Sequence, residues 1–235
     1  MSALLYALVA AAANVAGAAA VTSRRAWSTR TLELLIALAA GFMLSVALAD
    51  LIPDAILKDG ERGAVFVLAG FVLVHLTQHA LTGHFHFGEE THAVSGHVSA
   101  SALAGLLLHT FGDGVAIASG FLMSPQLGLL VFGAIFLHKL PEGLAISSLV
   151  LAAGGSRAAA LGAAAMLGLA TVAGVLLTDS FGPLAHYGLA LSGGVTLYVG
   201  ASNLIPEFQG KPGWLHNTAF FGGVGLYFLA RLGLG

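Results

Sequence analysis

His109-Thr-Phe-Gly-Asp113-Gly114 and His138-Lys-Leu-Pro-Glu142-Gly143 are two versions of one phrase, each set inside a long apolar run. In both, a histidine and a carboxylate stand four residues apart. A helix brings positions i and i+4 to one face, so each pair can point at a single target. The surrounding runs, about 98–122 and 126–151, are long enough to cross a bilayer as helices. Ionisable groups at bilayer depth are costly and mark an ion or substrate path. Two matched pairs therefore predict a metal-ion site inside a membrane.

The composition agrees. Of 235 residues, 57% are hydrophobic and only 9% are charged, where a soluble domain carries roughly 25%. The mean hydropathy is +0.92. Apolar runs of about 20 residues fit spanning helices and not the short alternating strands of a barrel. The fold class expected is all-α, a single polytopic transmembrane domain over 1–235. The net charge of −2 says little, because most charges fall between the runs. Cysteine is absent, which removes disulfides and thiolate ligands. A metal site must then use His, Asp, Glu, Asn or Met.

Eight spans are expected, over about 2–21, 31–52, 63–82, 98–122, 126–151, 157–178, 183–205 and 214–234. The first has an Ala-rich tail but no basic leader, so it reads as a retained helix rather than a signal peptide. The longest linker, about 83–97, holds His84, His86, His92 and His97 with Glu89 and Glu90. It reads either as a cytoplasmic metal-capturing loop or as a polar linker with incidental histidines. His75 and His79 precede it by one turn. His186 and His216 fall at span edges.

Basic residues orient the chain. With the N-terminus outside, the inner segments hold Arg24, Arg25, Arg30, Arg157 and Lys211, against Lys58, Arg62 and Arg231 outside. Both termini are expected outside. The second span ends in Asp50-Leu-Ile-Pro53-Asp54 and the seventh in Asn203-Leu-Ile-Pro206-Glu207. Spans four and five share His-x-x-x-[Asp/Glu]-Gly-x-Ala-Ile. Each matched pair is separated by an odd number of crossings and so runs in opposite directions. That is the signature of an inverted repeat, here in a 3+2+3 plan with a site near the midplane.

Imidazole nitrogen with carboxylate oxygen suits Zn²⁺ and other first-row divalent ions. Pro141 removes a backbone N–H, and Gly112 and Gly114 flank Asp113, so both helices are expected to loosen at their motifs. Ordinary hydrogen-bonded packing residues would be the plain alternative for any one of these side chains. Asp50 with Asp54, and Asn203 with Glu207, would flank the two ends of an ion path or would simply cap and solvate helix ends. Asp179 reads as a boundary residue. The 32 glycines and many alanines let helices approach closely and slide.

The two motifs resemble those of the fourth and fifth helices of the ZIP (Zrt/Irt-like protein) family of divalent metal transporters. The resemblance extends to eight spans, a His-bearing loop after the third, and Pro-acid endings on spans two and seven. It implies movement of a divalent metal into the cytosol, most often Zn²⁺, with Fe²⁺, Mn²⁺ or Cd²⁺ as other substrates. It implies that His109, Asp113, His138 and Glu142 bind the ion. A span-two side chain often joins them; Met43 stands roughly at that position, where a plain core or lipid-facing methionine is an equal reading.

The sequence also departs from the family. Where two-metal members carry Asn and a carboxylate-type ligand after the two histidines, this chain has Thr110 and Lys139. Where span six often supplies Glu, it has Thr171. An ammonium cannot ligate metal. Lys139 is therefore expected to occupy the second site, paired with Asp113 and Glu142, leaving a single-metal centre. Snorkelling to an interface is the alternative for that lysine.

No G-x-x-x-x-G-K-[ST] motif is present, so transport would be channel-like or secondary. Protons compete with metal for the same lone pairs, so release is expected to respond to pH over about 5.5–7.5. No permanent cofactor and no nucleic-acid partner are expected. The partners are divalent ions and lipid, and a homodimer is compatible with the plan. The short, compact chain points to a bacterial inner membrane. The rival functions are an intramembrane metal-dependent hydrolase, disfavoured by the lack of H-E-x-x-H, and a metal sensor without transport.

Overall fold

The computed structural model describes residues 3–23, 29–81, 96–206 and 208–234. Among them every regular element is a helix. In chain order these are α1 (Ala3–Thr22), α2 (Thr29–Val46), a π-helical turn (Ala47–Leu51), α3 (Ile52–Asp59), α4 (Glu61–Leu81), α5 (Gly96–Met123) and α6 (Pro125–Ala152). Then follow α7 (Arg157–Ser180), α8 (Gly182–Tyr198), a second π-helical turn (Val199–Leu204) and α9 (Leu215–Leu234). Helix covers most of each of the eight expected segments. Among the described residues, five stretches are long and apolar enough to cross a membrane: Ala3–Thr22, Glu33–Asp59, Leu106–Met123, Pro125–Leu151 and Arg157–Ser180.

The helix ends follow from local chemistry. Ser124 caps α6, its hydroxyl accepting from the Leu127 N–H at 3.1 Å, with Pro125 in the first turn where its missing N–H costs nothing. Ser156 caps α7 in the same way through Ala159 N–H. Gly60 ends α3 with φ of 57°, a left-handed backbone that a side chain resists.

The two π-helical turns share one cause. Pro53 and Pro206 have no N–H, and each ring crowds the carbonyl four residues back. The turn before each proline widens, so Ile52 N–H donates to Ala47 O and Ile205 N–H to Gly200 O, five residues back in both cases. The repeated Leu-Ile-Pro thus produces the same irregularity twice. The loosening expected at the central motifs is not seen: α5 and α6 run unbroken through Gly112, Gly114 and Pro141. Neighbouring turns hold those segments helical, and the glycines serve close packing instead.

Packing runs through four helix pairs: α1 on α6, α5 on α7, α2 on α9, and α4 on α8. Each pair crosses at two facing glycines. A Cβ on Gly143 would meet the Asn14 carbonyl oxygen, and one on Gly17 the Leu140 carbonyl oxygen. Gly114 lies against Thr171 O and Gly174 against Phe111 O. Gly41 lies against Phe220 O and Gly223 against Leu38 O. Gly70 lies against Leu191 O and Gly194 against Val67 O. In every case the carbonyl belongs to the residue three before the facing glycine. Such contacts replace the missing hydrophobic drive between helices in lipid with dispersion and Cα–H···O attraction.

The faces turned away from these crossings are apolar. On α4, Val65, Leu68, Leu73 and Leu76 are exposed, and on α9, Phe221, Phe228, Leu229 and Leu232. Polar side chains collect inside: Asn14, His109, Thr110, Asp113, His138, Lys139 and Glu142 are all buried. This arrangement, apolar outside and charged within, is that of an integral membrane protein.

Gly143→Val places a side chain against the Asn14 backbone and should destabilise the fold by about 1–3 kcal/mol or more through overpacking. Gly222→Val is the control, because a Cβ there meets nothing within 4 Å. Thermal unfolding in detergent should show a lower midpoint for the first variant and little change for the second.

Candidate metal centre

One residue, Ser124, separates α5 from α6, so the two helices fold back on each other as a tight hairpin. His109 lies fifteen residues before Ser124 and His138 fourteen after. Arms of nearly equal length in an antiparallel pair bring both motifs to the same depth. Helical spacing then puts Asp113 on the face of α5 that carries His109, and Glu142 on the face of α6 that carries His138.

One ligand atom from each of His109, Asp113, His138 and Glu142 can be chosen so that all four lie within 4.8 Å of one another. All four residues are buried. His109 Nε2 is 3.5 Å from Asp113 Oδ2, and His138 Nε2 is 3.3 Å from the same oxygen. The two imidazole rings are 5.5 Å apart between centroids. His138 Nδ1 lies 3.0 Å from Ala134 O. A carbonyl only accepts, so this contact assigns the proton to Nδ1 and leaves a lone pair on Nε2 of the neutral ring. That lone pair faces a carboxylate oxygen, an arrangement that a cation between them makes favourable. His109 Nδ1 and Glu142 Oε1 are buried with no hydrogen-bond partner. Unmet buried polar atoms of this kind call for water or an ion.

Lys139 lies within the same cluster. Its side chain is fully buried, and Nζ donates to Asp113 Oδ2 at 2.7 Å and to Glu142 Oε2 at 2.8 Å. An isolated ammonium could not stay charged in so apolar a place, and neither could the carboxylates. Together, one ammonium and two carboxylates leave a net charge of −1 when both histidines are neutral. One dication turns that to +1. A second would enter against like charge.

The positions beside the centre hold no competing ligand set. Thr110 Oγ1 donates to Leu107 O at 3.1 Å and Thr171 Oγ1 to Leu167 O at 3.3 Å, each within its own helix. Met43 is fully buried in the main apolar core.

The residues expected along the path are placed as follows. Asp50 sits in the first π-helical turn, buried, accepting from the Tyr227 hydroxyl at 2.8 Å. Arg231 donates to that hydroxyl at 3.0 Å and lies 3.5 Å from Asp50 Oδ1. Asp54 is half-buried on α3, and Asn203 is half-buried in the second π-helical turn. Glu207 lies outside the described residues, as do Arg24, Arg25, His84, His86, Glu89, Glu90 and His92. The same holds for the side chains of His79 and His97. His186 pairs with Asp59 at 3.0 Å. The Tyr198 hydroxyl lies 3.4 Å from His75 Nδ1.

Two polar clusters were not foreseen from the sequence. Tyr227 and Arg231 join Asp50 from α9, and Glu33 on α2 holds both Lys211 at 2.9 Å and His216 at 3.0 Å. No local spacing links residues so far apart in the chain. Asn14 is a third omission. It is an asparagine in an Ala-rich span, fully buried, and neither atom of its amide has a partner.

Comparison with known proteins bears on this centre. The family described as ZIP Zinc transporter matches residues 88–231, which include both motifs. Zinc transporter ZIP9-B of Xenopus laevis is 26% identical over 236 aligned positions, spanning 78% of each chain. Zinc transporter ZIP13 of Pongo abelii is 29% identical over 202 positions, 75% of this chain and 58% of its own. Zinc transporter ZIP6 of Homo sapiens is 31% identical over 136 positions, 54% of this chain and 17% of its own.

Lys139→Met leaves Asp113 and Glu142 facing each other without their cation. Breaking a buried ion pair from one side costs about 3–5 kcal/mol. Thermal unfolding in chelator should show that loss, and added Zn²⁺ should raise the midpoint more in the variant than in the parent.

Proposed function

The chain belongs to the ZIP zinc transporter family, and we propose that it carries Zn²⁺ into the cytosol through the His109, Asp113, His138 and Glu142 centre. The observation that carries this reading is the convergence of those four groups, buried and from two adjacent helices, within 4.8 Å of one another. Two imidazoles and two carboxylates match the preference of Zn²⁺ for nitrogen and oxygen ligands in a near-tetrahedral shell. The same donors accept Cd²⁺, Fe²⁺ or Mn²⁺. Met43 on α2 is proposed as a further, soft contact for the ion.

An ion arriving at the centre displaces the Lys139 ammonium from part of its contact with Asp113 and Glu142. The lysine stays near as a fixed positive charge. It weakens binding enough for release and excludes a second dication, so the centre holds one metal at a time. Binding too tight would trap the substrate; a carrier needs a site it can also empty.

The proposed plan is eight spans in an inverted 3+2+3 repeat with both termini outside, in the inner membrane of a bacterium. Three features support the repeat. The four glycine crossings exchange in pairs: α1 with α6 against α7 with α5, and α2 with α9 against α8 with α4. The π-helical turns fall at matched positions before Pro53 and Pro206. The exposed faces of α4 and α9 are apolar, as lipid requires. Asp50 and Asp54 would meet ions at the outer end, and Asn203 and Glu207 at the inner end. The His-rich segment 83–97 would hold metal on the cytosolic side.

Purified protein in proteoliposomes should take up Zn²⁺, and a His138→Ala, Glu142→Ala variant that still folds should fall to the level of empty liposomes. Uptake that persists in that variant would move the path elsewhere. Lys139→Asp should raise the zinc bound at the centre from one ion to two per chain. Two ions already present in the parent would overturn the role given to the lysine.

A further inference from the structure

Asn14 is fully buried, and its amide oxygen and nitrogen both lack a hydrogen-bond partner. A buried primary amide without partners is expensive, and native proteins seldom keep one without water or a ligand. Lipid offers neither. Whatever satisfies Asn14 must come through the interior of the protein.

Its place in the fold says what that could be. Asn14 lies where α1 crosses α6, its backbone carbonyl against Gly143, the residue after Glu142. Glu142 Oε1 is itself buried and unpartnered. Two residues with unmet polar groups thus meet at a single close helix contact, Asn14 through its backbone against Gly143 and Glu142 as the residue before that glycine. The matched crossing on the other side behaves differently. There Thr171 of α7 rests on Gly114, the residue after Asp113, and its hydroxyl is satisfied by Leu167 O. The asymmetry is confined to the α1 side, where an amide replaces a self-satisfied hydroxyl.

We propose that Asn14 is a binding residue of the ion path, its amide oxygen standing in for one hydration water as a divalent cation moves onto or off Glu142. This rests on the transport reading above. An amide oxygen is a hard, neutral ligand. It can hold a partly dehydrated cation without adding charge to a centre already balanced by Lys139. It would lower the barrier to exchange rather than deepen the binding well.

Asn14→Leu keeps the number and branching of side-chain heavy atoms and removes both polar ends. The initial rate of Zn²⁺ uptake into proteoliposomes should fall about tenfold, the scale of one lost polar contact in a desolvated site. One zinc per chain should still bind at equilibrium. Asn14→Cys supplies a second readout, because the chain has no cysteine of its own. In the folded variant a small cationic methanethiosulfonate should label this thiol, and Zn²⁺ should slow the labelling. Ala18→Cys, on the same buried face of α1, should stay unlabelled. Asn14→Leu transporting at the parental rate would overturn the proposal, as would an Asn14→Cys protein that transports and yet resists labelling. A parent that moves no Zn²⁺ would instead overturn the transport reading beneath it. The two failures are therefore told apart by which protein shows them.

Discussion

Three charges buried together constrain this molecule more than any other feature. The Lys139 ammonium, held at 2.7 and 2.8 Å by Asp113 and Glu142, makes two carboxylates tolerable in an apolar interior. The carboxylates in turn make the ammonium tolerable. Neither side can be present alone at low cost. The geometry that satisfies all three requires α5 and α6 at a fixed separation and register, since Asp113 comes from one helix and the other two groups from its neighbour.

Holding that register falls to small residues. The glycine after each carboxylate, Gly114 and Gly143, meets a backbone carbonyl of α7 or α1. Adjacent positions therefore do two different things in each motif. The carboxylate faces inward to the charge cluster, and the next position lets a flanking helix press close. This explains why the helices stay regular through Pro141 and the flanking glycines. Tight neighbours on both sides supply the stiffness that the local sequence lacks. The irregular backbone lies instead in the π-helical turns that hold Asp50 and Asn203.

A metal transporter must reconcile a charged interior with an apolar surround, and must bind an ion without keeping it. The fold meets the first requirement by burying its polar groups among the helices while α4 and α9 turn apolar side chains outward. The Lys139 charge bears on the second, since a built-in cation already shares Asp113 and Glu142. Asp50 is engaged from α9 by Tyr227 and Arg231. The α2 and α9 pair is thus tied at one end by that contact and at the other by Glu33 with Lys211 and His216. Such ties at both ends suit a rigid pair against which other helices can move.

Much of this is legible in the chain itself. Helical membrane class follows from composition and run length, because lipid admits few alternatives for an unpaired backbone. The clustering of His109, Asp113, His138 and Glu142 follows from i, i+4 spacing repeated in two apolar runs, a local property of helices. The repeated Leu-Ile-Pro marks where the backbone is irregular, although not that the irregularity takes the π form. Tertiary structure alone decides the remainder. Which carboxylate meets which side of Lys139, how Asp50 finds Tyr227 across 177 positions, and why Asn14 lies against Gly143 all depend on how helices cross. Crossings are set by reciprocal fits between distant glycines and carbonyls, and no single segment encodes its partner. Spacing along one helix is written in the sequence, whereas contact between helices is settled only when both surfaces are present.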